Sequence, residues 1–107
     1  MSDELVRDLY ILLQPIRWKI IRVLKKAGRP MYIKEIAKEV GEDWKIVAFH
    51  LAKLADAGFV EGEFRVIELA KSKGRAGKFY KLTDKVDKVL SRAVSYTHLT
   101  LPTTERV

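Results

Sequence analysis

The chain has 107 residues, 33% of them charged, with no cysteine and a formal net charge of +7. This length suits one domain with one core, and the lack of cysteine excludes disulfides, thiolate metal sites and cysteine nucleophiles. The positive charge favours a polyanionic partner, either nucleic acid or an anionic membrane surface, although a merely soluble basic protein has the same composition.

The amino-terminal third predicts two helices separated by a proline. The chain starts with acidic and polar residues and has no apolar run of membrane-spanning length, so we expect a cytoplasmic protein without signal peptide or membrane span. Pro15 ends the first helix, residues 3–13, because the residue before a proline avoids the helical region. Pro15 also suits the first position of a second helix running to about Ala27. That helix is apolar on more than one side, which places Trp18 in the core or in a subunit contact. The apolar side of the first helix, residues 3–13, consists of Leu5, Leu9, Leu12 and Leu13.

Two helices joined by a tight turn follow, which is the pattern of a helix-turn-helix unit. Residues 31–33 suit a short strand, and apolar residues at helical spacing then predict a helix over residues 33–40 that ends at Gly41. Its N-cap is Tyr32 or a neighbour. A three-residue turn containing a glycine leads into the next helix.

The helix over residues 43–57 is the element around which the sequence is organised. Asp43 is a good N-cap because its carboxylate accepts hydrogen bonds from the free N–H groups of the first turn, and Gly58 suits a left-handed stop. The opposite face is basic and semi-exposed, which is typical of a recognition helix that enters a DNA groove. The inner face has one apolar stripe, formed by Val47, Leu51 and Leu54.

A long hairpin with a basic tip and a last helix complete the predicted domain. Residues 59–70 and 78–83 alternate in the manner of strands, and residues 71–78 between them hold four positive charges, two glycines and no acid. Thr83 suits the N-cap of a helix whose apolar pattern continues to about Ala93.

The last 14 residues, 94–107, change abruptly to a threonine-rich sequence without a helical pattern. The string VSYTHL at residues 94–99 resembles the translation of a transposon-end sequencing adapter. We therefore take residues 1–93 as the domain and expect residues 94–107 to be a non-native or disordered tail, in which His98 has no function.

Several motifs resemble the ArsR-type transcriptional regulators, in an archaeal-like form. PIRWKII at residues 15–21 is similar to the family's D-P-x-R-L-x-I-L opening, and IA at 36–37 with VAFHLAKLADAGFV at 47–60 resembles its LA…VSxHLxxLxxAGLV core. GRAGKFYKLT at residues 74–83 is similar to archaeal wings that end in YxLT. The resemblance implies a mainly α winged helix-turn-helix with a β-hairpin wing, five helices and two to three short strands. It also implies a homodimer held by the first and last helices and bound to double-stranded DNA.

By the same resemblance, the base-reading positions are Trp44, Lys45, Ala48 and Phe49, where the family usually has Gln, Ser, Thr or Arg. Lys45 and the Trp44 indole can donate hydrogen bonds. Ala48 and Phe49 can touch a thymine methyl but make no bidentate base contact, so we expect strong phosphate binding with modest or apolar-biased base readout. The remaining candidate DNA contacts are basic side chains, with Arg75 best suited to a minor groove, and they are Lys53, Lys71, Lys73, Arg75 and Lys78. Two further basic residues, Arg29 and Lys34, are near enough to the motif to touch phosphate.

Other functions find less support in the sequence. No Ser/His/Asp set, Walker-type loop or zinc-ligand spacing occurs, so we expect neither an enzyme nor a cofactor. Metal sensing is not expected, because the cysteines or His/Asp clusters of metal-sensing ArsR-type proteins are absent. We expect His50 to be structural and Arg17 to join an internal ion pair. The alternative function is a protein-interaction module that docks a partner through Trp44 and Phe49, and RNA binding is a third possibility.

Overall fold

Five helices and three strands make up the computed structural model, which describes residues 2–67 and 75–100, with side chains for residues 2–66 and 76–95. The three strands form one antiparallel sheet in the order β1-β3-β2. This arrangement confirms the predicted mainly α winged helix-turn-helix with a hairpin wing. The elements are α1 (Asp3–Leu12), α2 (Pro15–Ala27), β1 (Met31–Tyr32), α3 (Ile33–Val40), α4 (Trp44–Asp56), β2 (Val60–Ile67), β3 (Arg75–Leu82) and α5 (Lys85–Thr100).

The predicted caps set the boundaries of the helix-turn-helix. Pro15 occupies the start of α2, and the Asp43 carboxylate accepts a 2.7 Å hydrogen bond from the backbone N–H of Lys45 in the first turn of α4. Gly41 and Gly58 follow α3 and α4 with φ of 83° and 86°, a left-handed conformation that side chains with a Cβ disfavour. The turn between α3 and α4 is therefore fixed by a glycine on one side and a capping carboxylate on the other.

One apolar core lies between the helices and the sheet. The predicted stripe of α4 is fully buried, since Val47, Leu51 and Leu54 are each 0% exposed. α2 is buried on more than one side, as expected, and Trp18 packs against the core as a partly buried residue. The core fixes α4 by its inner face alone, which leaves the outer face free for other contacts.

A single ammonium group joins α1, α4 and α5. Lys85 Nζ donates a 2.6 Å hydrogen bond to the carbonyl of Ala57, just beyond the carboxyl end of α4. The same Nζ lies 3.5 Å from a carboxylate oxygen of Asp8, a buried residue of α1, and 5.0 Å from the ring centroid of Phe59. Lys85 thus satisfies a helix-end carbonyl and compensates a buried charge at the same point.

The last helix extends past the boundary expected at residue 93. Thr83 Oγ1 accepts a hydrogen bond from the N–H of Lys85 at 3.2 Å, as predicted for a cap, and α5 then continues to Thr100. The helix therefore includes residues 94–100 of the expected tail, because a helix already anchored by packing adds further residues at little cost. Residues 101–107 lie outside the described residues, and the non-native origin of the tail stays a prediction. No helix in the described residues has the length and apolarity needed to span a membrane.

Candidate nucleic-acid interface

The outer face of α4 carries the predicted base-reading residues in an exposed position. Trp44 is 44% exposed and Phe49 is 56% exposed, Lys45 and Lys53 are exposed beside them, and Ala48 is half-buried. Ile46, which the sequence analysis did not include, is 42% exposed on the same helix. Ile46 does not share the helical spacing of the buried stripe, and this difference is the signal that could have identified it from the sequence as an exposed apolar residue. We call these three exposed apolar side chains, Trp44, Ile46 and Phe49, the apolar face of α4; Ile46 and Phe49 are neighbours on the helix surface, and Trp44 lies at the first turn, about 140° around the helix from Phe49.

Lysine ammonium groups border both aromatic rings of this face. Lys34, from the first turn of α3, places Nζ 5.9 Å from the ring centroid of Trp44. Lys53, one helical turn after Phe49, places Nζ 5.4 Å from the centroid of that ring. Both distances are within the range of cation–π attraction. Each exposed aromatic ring of α4 therefore has a lysine ammonium beside it, from α3 for Trp44 and from α4 itself for Phe49.

Arg29 is less available for phosphate than the sequence suggested. Its guanidinium donates to both carboxylate oxygens of Glu35, at 2.7 and 3.4 Å. The hydrogen bond between them raises the pKa of Arg29 and lowers the pKa of Glu35. Glu35 also accepts from the N–H of Tyr32, the N-cap of α3, at 3.4 Å. Arg29 thus helps to fix the start of α3 through Glu35.

Of the four basic residues predicted to contact DNA from the wing, Lys78 is the one whose side chain the structure describes. Lys71 and Lys73 lie outside the described residues, and Arg75 begins β3 without a described side chain. Lys78 is exposed and pairs with Phe64 across the hairpin, with Nζ 5.5 Å from the centroid of that ring. The predicted hairpin is confirmed, and the role of its basic tip stays a prediction.

The wing also exposes apolar side chains that the sequence analysis assigned only to a strand. Phe64 is 71% exposed and Val66 is 60% exposed, because β2 and β3 continue beyond the edge of the core. Alternation along β2 identified the face to which these residues belong, but the burial of that face depends on how far the core extends under the hairpin.

The His50 ring is held by Arg17, which was expected to form an ion pair. Arg17 Nε donates to His50 Nδ1 at 3.0 Å, and Arg17 Nη1 donates to the carbonyl of Ile11 at 3.1 Å. The expected ion pair of Arg17 is wrong for the described residues, where its partners are a neutral ring and a carbonyl. Burial, with a smaller contribution from Arg17, lowers the pKa of His50. His50 also meets Phe49 edge-on at 5.2 Å between centroids, so this network orients a ring of the apolar face.

A second exposed apolar surface lies on α1. Val6, Tyr10 and Leu13 follow one another at helical spacing and are 50%, 72% and 51% exposed. Leu13 was expected on the buried side of α1, but α1 ends at Leu12, and Leu13 forms the C-cap and points to solvent. Val94 on α5, the helix that packs on α1, is 66% exposed. Among the described residues, no group of three or more His, Cys, Asp or Glu side chains is arranged to hold a metal ion.

Comparisons with known proteins agree with this architecture. A protein-family model described as HVO_A0114 matches residues 12–88. The chain is similar to the homodimeric winged helix-turn-helix DNA-binding domain Mb0332 from Mycobacterium bovis, described as a possible ArsR-family regulator, with 21% identity, a TM-score of 0.61 and coverage of 91% of this chain and 82% of that one. The ArsR family transcriptional regulator RHA00566 is 14% identical, with a TM-score of 0.68 and coverage of 96% of each chain. Diamide-treated YodB from B. subtilis is 21% identical, with a TM-score of 0.68 and coverage of 98% of this chain and 95% of that one. No curated protein matches the sequence. At these identities the likeness is one of fold, and it confirms the winged helix-turn-helix.

Proposed function

Because the chain belongs to the HVO_A0114 family and has an ArsR-type winged helix-turn-helix fold, we propose that it is a DNA-binding transcriptional regulator of the cytoplasm. In this proposal α4 enters the major groove, and the basic wing, residues 71–78, contacts phosphates or the minor groove. The observation that carries the proposal is the outer face of α4. It is exposed along the helix and bordered by Lys34, Lys45 and Lys53, and an α-helix fits the major groove of B-DNA.

The proposed active species is a homodimer formed through α1 and α5. Val6, Tyr10 and Leu13 give α1 an apolar stripe that is exposed in the single chain. A symmetric pair of such helices would remove these side chains from water. A two-fold dimer would present its two α4 helices to successive major grooves, about 34 Å apart.

The proposal predicts a steep dependence of binding on salt. Six phosphate contacts per subunit, shared between the lysines around α4 and the wing, would give each bound subunit a contribution of about −5 to the slope of log affinity against log salt concentration. Between 50 and 200 mM salt, the affinity should therefore fall about a thousand-fold or more.

Fluorescence anisotropy with a mixed-sequence duplex of about 30 base pairs, titrated at several salt concentrations, tests this proposal. Lys45→Glu and Lys53→Glu should each weaken binding and reduce the salt slope. Lys88→Glu is the matched control, because Lys88 is an exposed lysine on α5 and the change in net charge is the same. Absence of binding at 50 mM salt, or an equal loss in all three variants, would refute the proposal.

A protein-interaction module is the second candidate function, favoured by the three exposed apolar side chains of α4. The two candidates respond differently to charge reversal in the wing. Replacing Lys73, Arg75 and Lys78 together by Glu should abolish DNA binding, whereas docking of an apolar partner on Trp44 and Phe49 should survive.

A further inference from the structure

We infer that the apolar face of α4 reads C5-methyl groups in the major groove, those of thymine and of 5-methylcytosine, by apolar contact. This inference rests on the proposed DNA-binding function and specifies the chemistry by which α4 would distinguish one sequence from another. It concerns base readout alone and leaves phosphate contact to the lysines.

The side chains of α4 are poor in groups for the usual alternative, which is hydrogen bonding to purine edges. The helix WKIVAFHLAKLAD contains no Arg, Asn, Gln, Ser or Thr, so it has no side chain that binds adenine bidentately, and lysine is its only side chain of the kinds that bind guanine in this way. His50 is half-buried, and its Nδ1 already accepts from Arg17. The donors that remain are the Lys45 and Lys53 ammonium groups, the Trp44 indole N–H and Nε2 of the His50 ring.

Methyl groups are the ligands that such a face can distinguish. On the major-groove edge of unmodified DNA, the thymine C5-methyl is the apolar group, whereas the purine N7 atoms and the exocyclic oxygen and amino groups are hydrogen-bond acceptors or donors. Trp44, Ile46 and Phe49 present aromatic and branched aliphatic carbon, between 42% and 56% exposed, which can exclude water from a methyl group. Contact with polar base edges would instead leave donors and acceptors without partners.

Charge decides between DNA and an apolar protein groove as the occupant of this face. Lys34 borders Trp44 at 5.9 Å and Lys53 borders Phe49 at 5.4 Å, so each ring comes with a cation. The C5 edge of a pyrimidine lies on the backbone side of the major groove, and a ring on its methyl therefore brings the neighbouring lysine toward a phosphate. A protein groove that covered the same rings would have to desolvate these ammonium groups.

The Phe49 ring is also held in place before any ligand arrives. It meets His50 edge-on at 5.2 Å, and His50 is fixed by the 3.0 Å hydrogen bond from Arg17. A side chain that is already oriented loses less conformational entropy on binding. Phe49 is therefore the residue on which methyl recognition should depend most.

Alternating copolymers provide probes that require no knowledge of the natural binding site. The protein is titrated at constant salt with poly(dA-dT) and poly(dA-dU), which differ in the thymine methyl, and with poly(dG-5-methyl-dC) and poly(dG-dC), which differ in the cytosine methyl. Burial of one methyl should change affinity about four-fold. We expect the methylated polymer of each pair to bind at least four-fold more tightly.

Substitutions assign this preference to α4. Phe49→Ala should reduce the ratio within each pair toward one. Phe64→Ala is the matched control, because Phe64 is an exposed phenylalanine of the wing and its loss should leave both ratios unchanged. Lys45→Ala should weaken binding to all four polymers and keep the ratios. Circular dichroism and thermal unfolding verify that each variant is folded.

Each outcome bears on the inference. Equal affinity of the wild-type protein for the members of both pairs would overturn it and leave the DNA-binding function intact. A ratio retained by Phe49→Ala would assign discrimination to DNA shape or to the wing and would also overturn it. If the protein bound none of the four polymers, the proposed function would be refuted together with the inference.

Discussion

Substitution of Lys85 tests how the fold holds α4 against α1, the helix proposed for dimerisation. Its Nζ donates to the Ala57 carbonyl at 2.6 Å and lies 3.5 Å from the carboxylate of Asp8. The Asp8 side chain is 10% exposed and that of Lys85 is 37% exposed, so both groups are partly withdrawn from water. Lys85→Met keeps the apolar stem of the side chain and removes its charge.

The expected loss follows from the groups left without a partner. A hydrogen bond to a charged donor contributes about 1.5–3 kcal/mol, and the loss of the ammonium leaves the buried Asp8 carboxylate without its cation. The methionine stem retains part of the packing over Phe59. We therefore expect Lys85→Met to lower the free energy of unfolding by about 2–3 kcal/mol, a large part of the 5–15 kcal/mol typical of a domain.

Equilibrium unfolding in urea measures this difference, with Lys88→Met as the control on the same helix. Lys88 lies 3.3 Å from Asp84, but both side chains are more than 70% exposed, and such a pair is worth about 0.5 kcal/mol or less. In the double variant with Asp8→Asn, the losses should be less than additive by about 1 kcal/mol or more. Equal losses for Lys85→Met and Lys88→Met, or strict additivity with Asp8→Asn, would show that the Lys85 contacts are incidental.

Three further predictions concern the core, the pH response and the oligomeric state. Leu51→Ala should cost about 3 kcal/mol in urea unfolding, because Leu51 is 0% exposed, whereas Ala52→Gly on the exposed side should cost about 1 kcal/mol; similar losses would contradict the assigned faces of α4. Because the pKa of His50 is lowered in the folded state, its contribution to stability is complete above the ordinary value near 6.5 and is lost as pH falls through the lower, folded value. Thermal unfolding from pH 8 to pH 5 should show this loss, and His50→Gln should remove that part of the pH dependence. Tyr10→Glu should convert a dimer to monomers in sedimentation experiments, whereas Phe64→Glu should not, and a dimer that survives Tyr10→Glu would place the interface elsewhere.

The helix-turn-helix could be predicted from sequence because its determinants are local. The period of Val47, Leu51 and Leu54 identifies the inner face of α4, and a capping carboxylate and a left-handed glycine mark its two ends. The same reasoning located Pro15 at the start of α2 and Thr83 before α5. Each of these signals acts over a few residues and does not depend on how the helices are arranged in space.

Contacts between distant segments could not be predicted in the same way. Arg17 and His50 are 33 positions apart, and the sequence gives no period or spacing that pairs them. Lys85 likewise meets Asp8 and the end of α4 only because α1 and α5 pack together. The exposure of Phe64 depends on where the core ends beneath the hairpin, which alternation along a strand does not report. The specific polar partners of Arg17 and Lys85, and the exposure of Phe64, therefore could not be read from the sequence.

The proposed methyl readout would make the proposed dimer a requirement for specificity. Phosphate contacts carry no direct sequence information, so discrimination would rest on methyl groups, each worth about four-fold. Three methyl contacts, one for each side chain of the apolar face, would give one α4 helix a ratio of about 60 between preferred and random DNA. Specific binding generally requires a ratio of about a thousand or more. Two helices together would reach about four thousand, so a monomer of this chain would bind DNA with little selectivity, and loss of the α1 interface should relax sequence preference more than it weakens contact with phosphate.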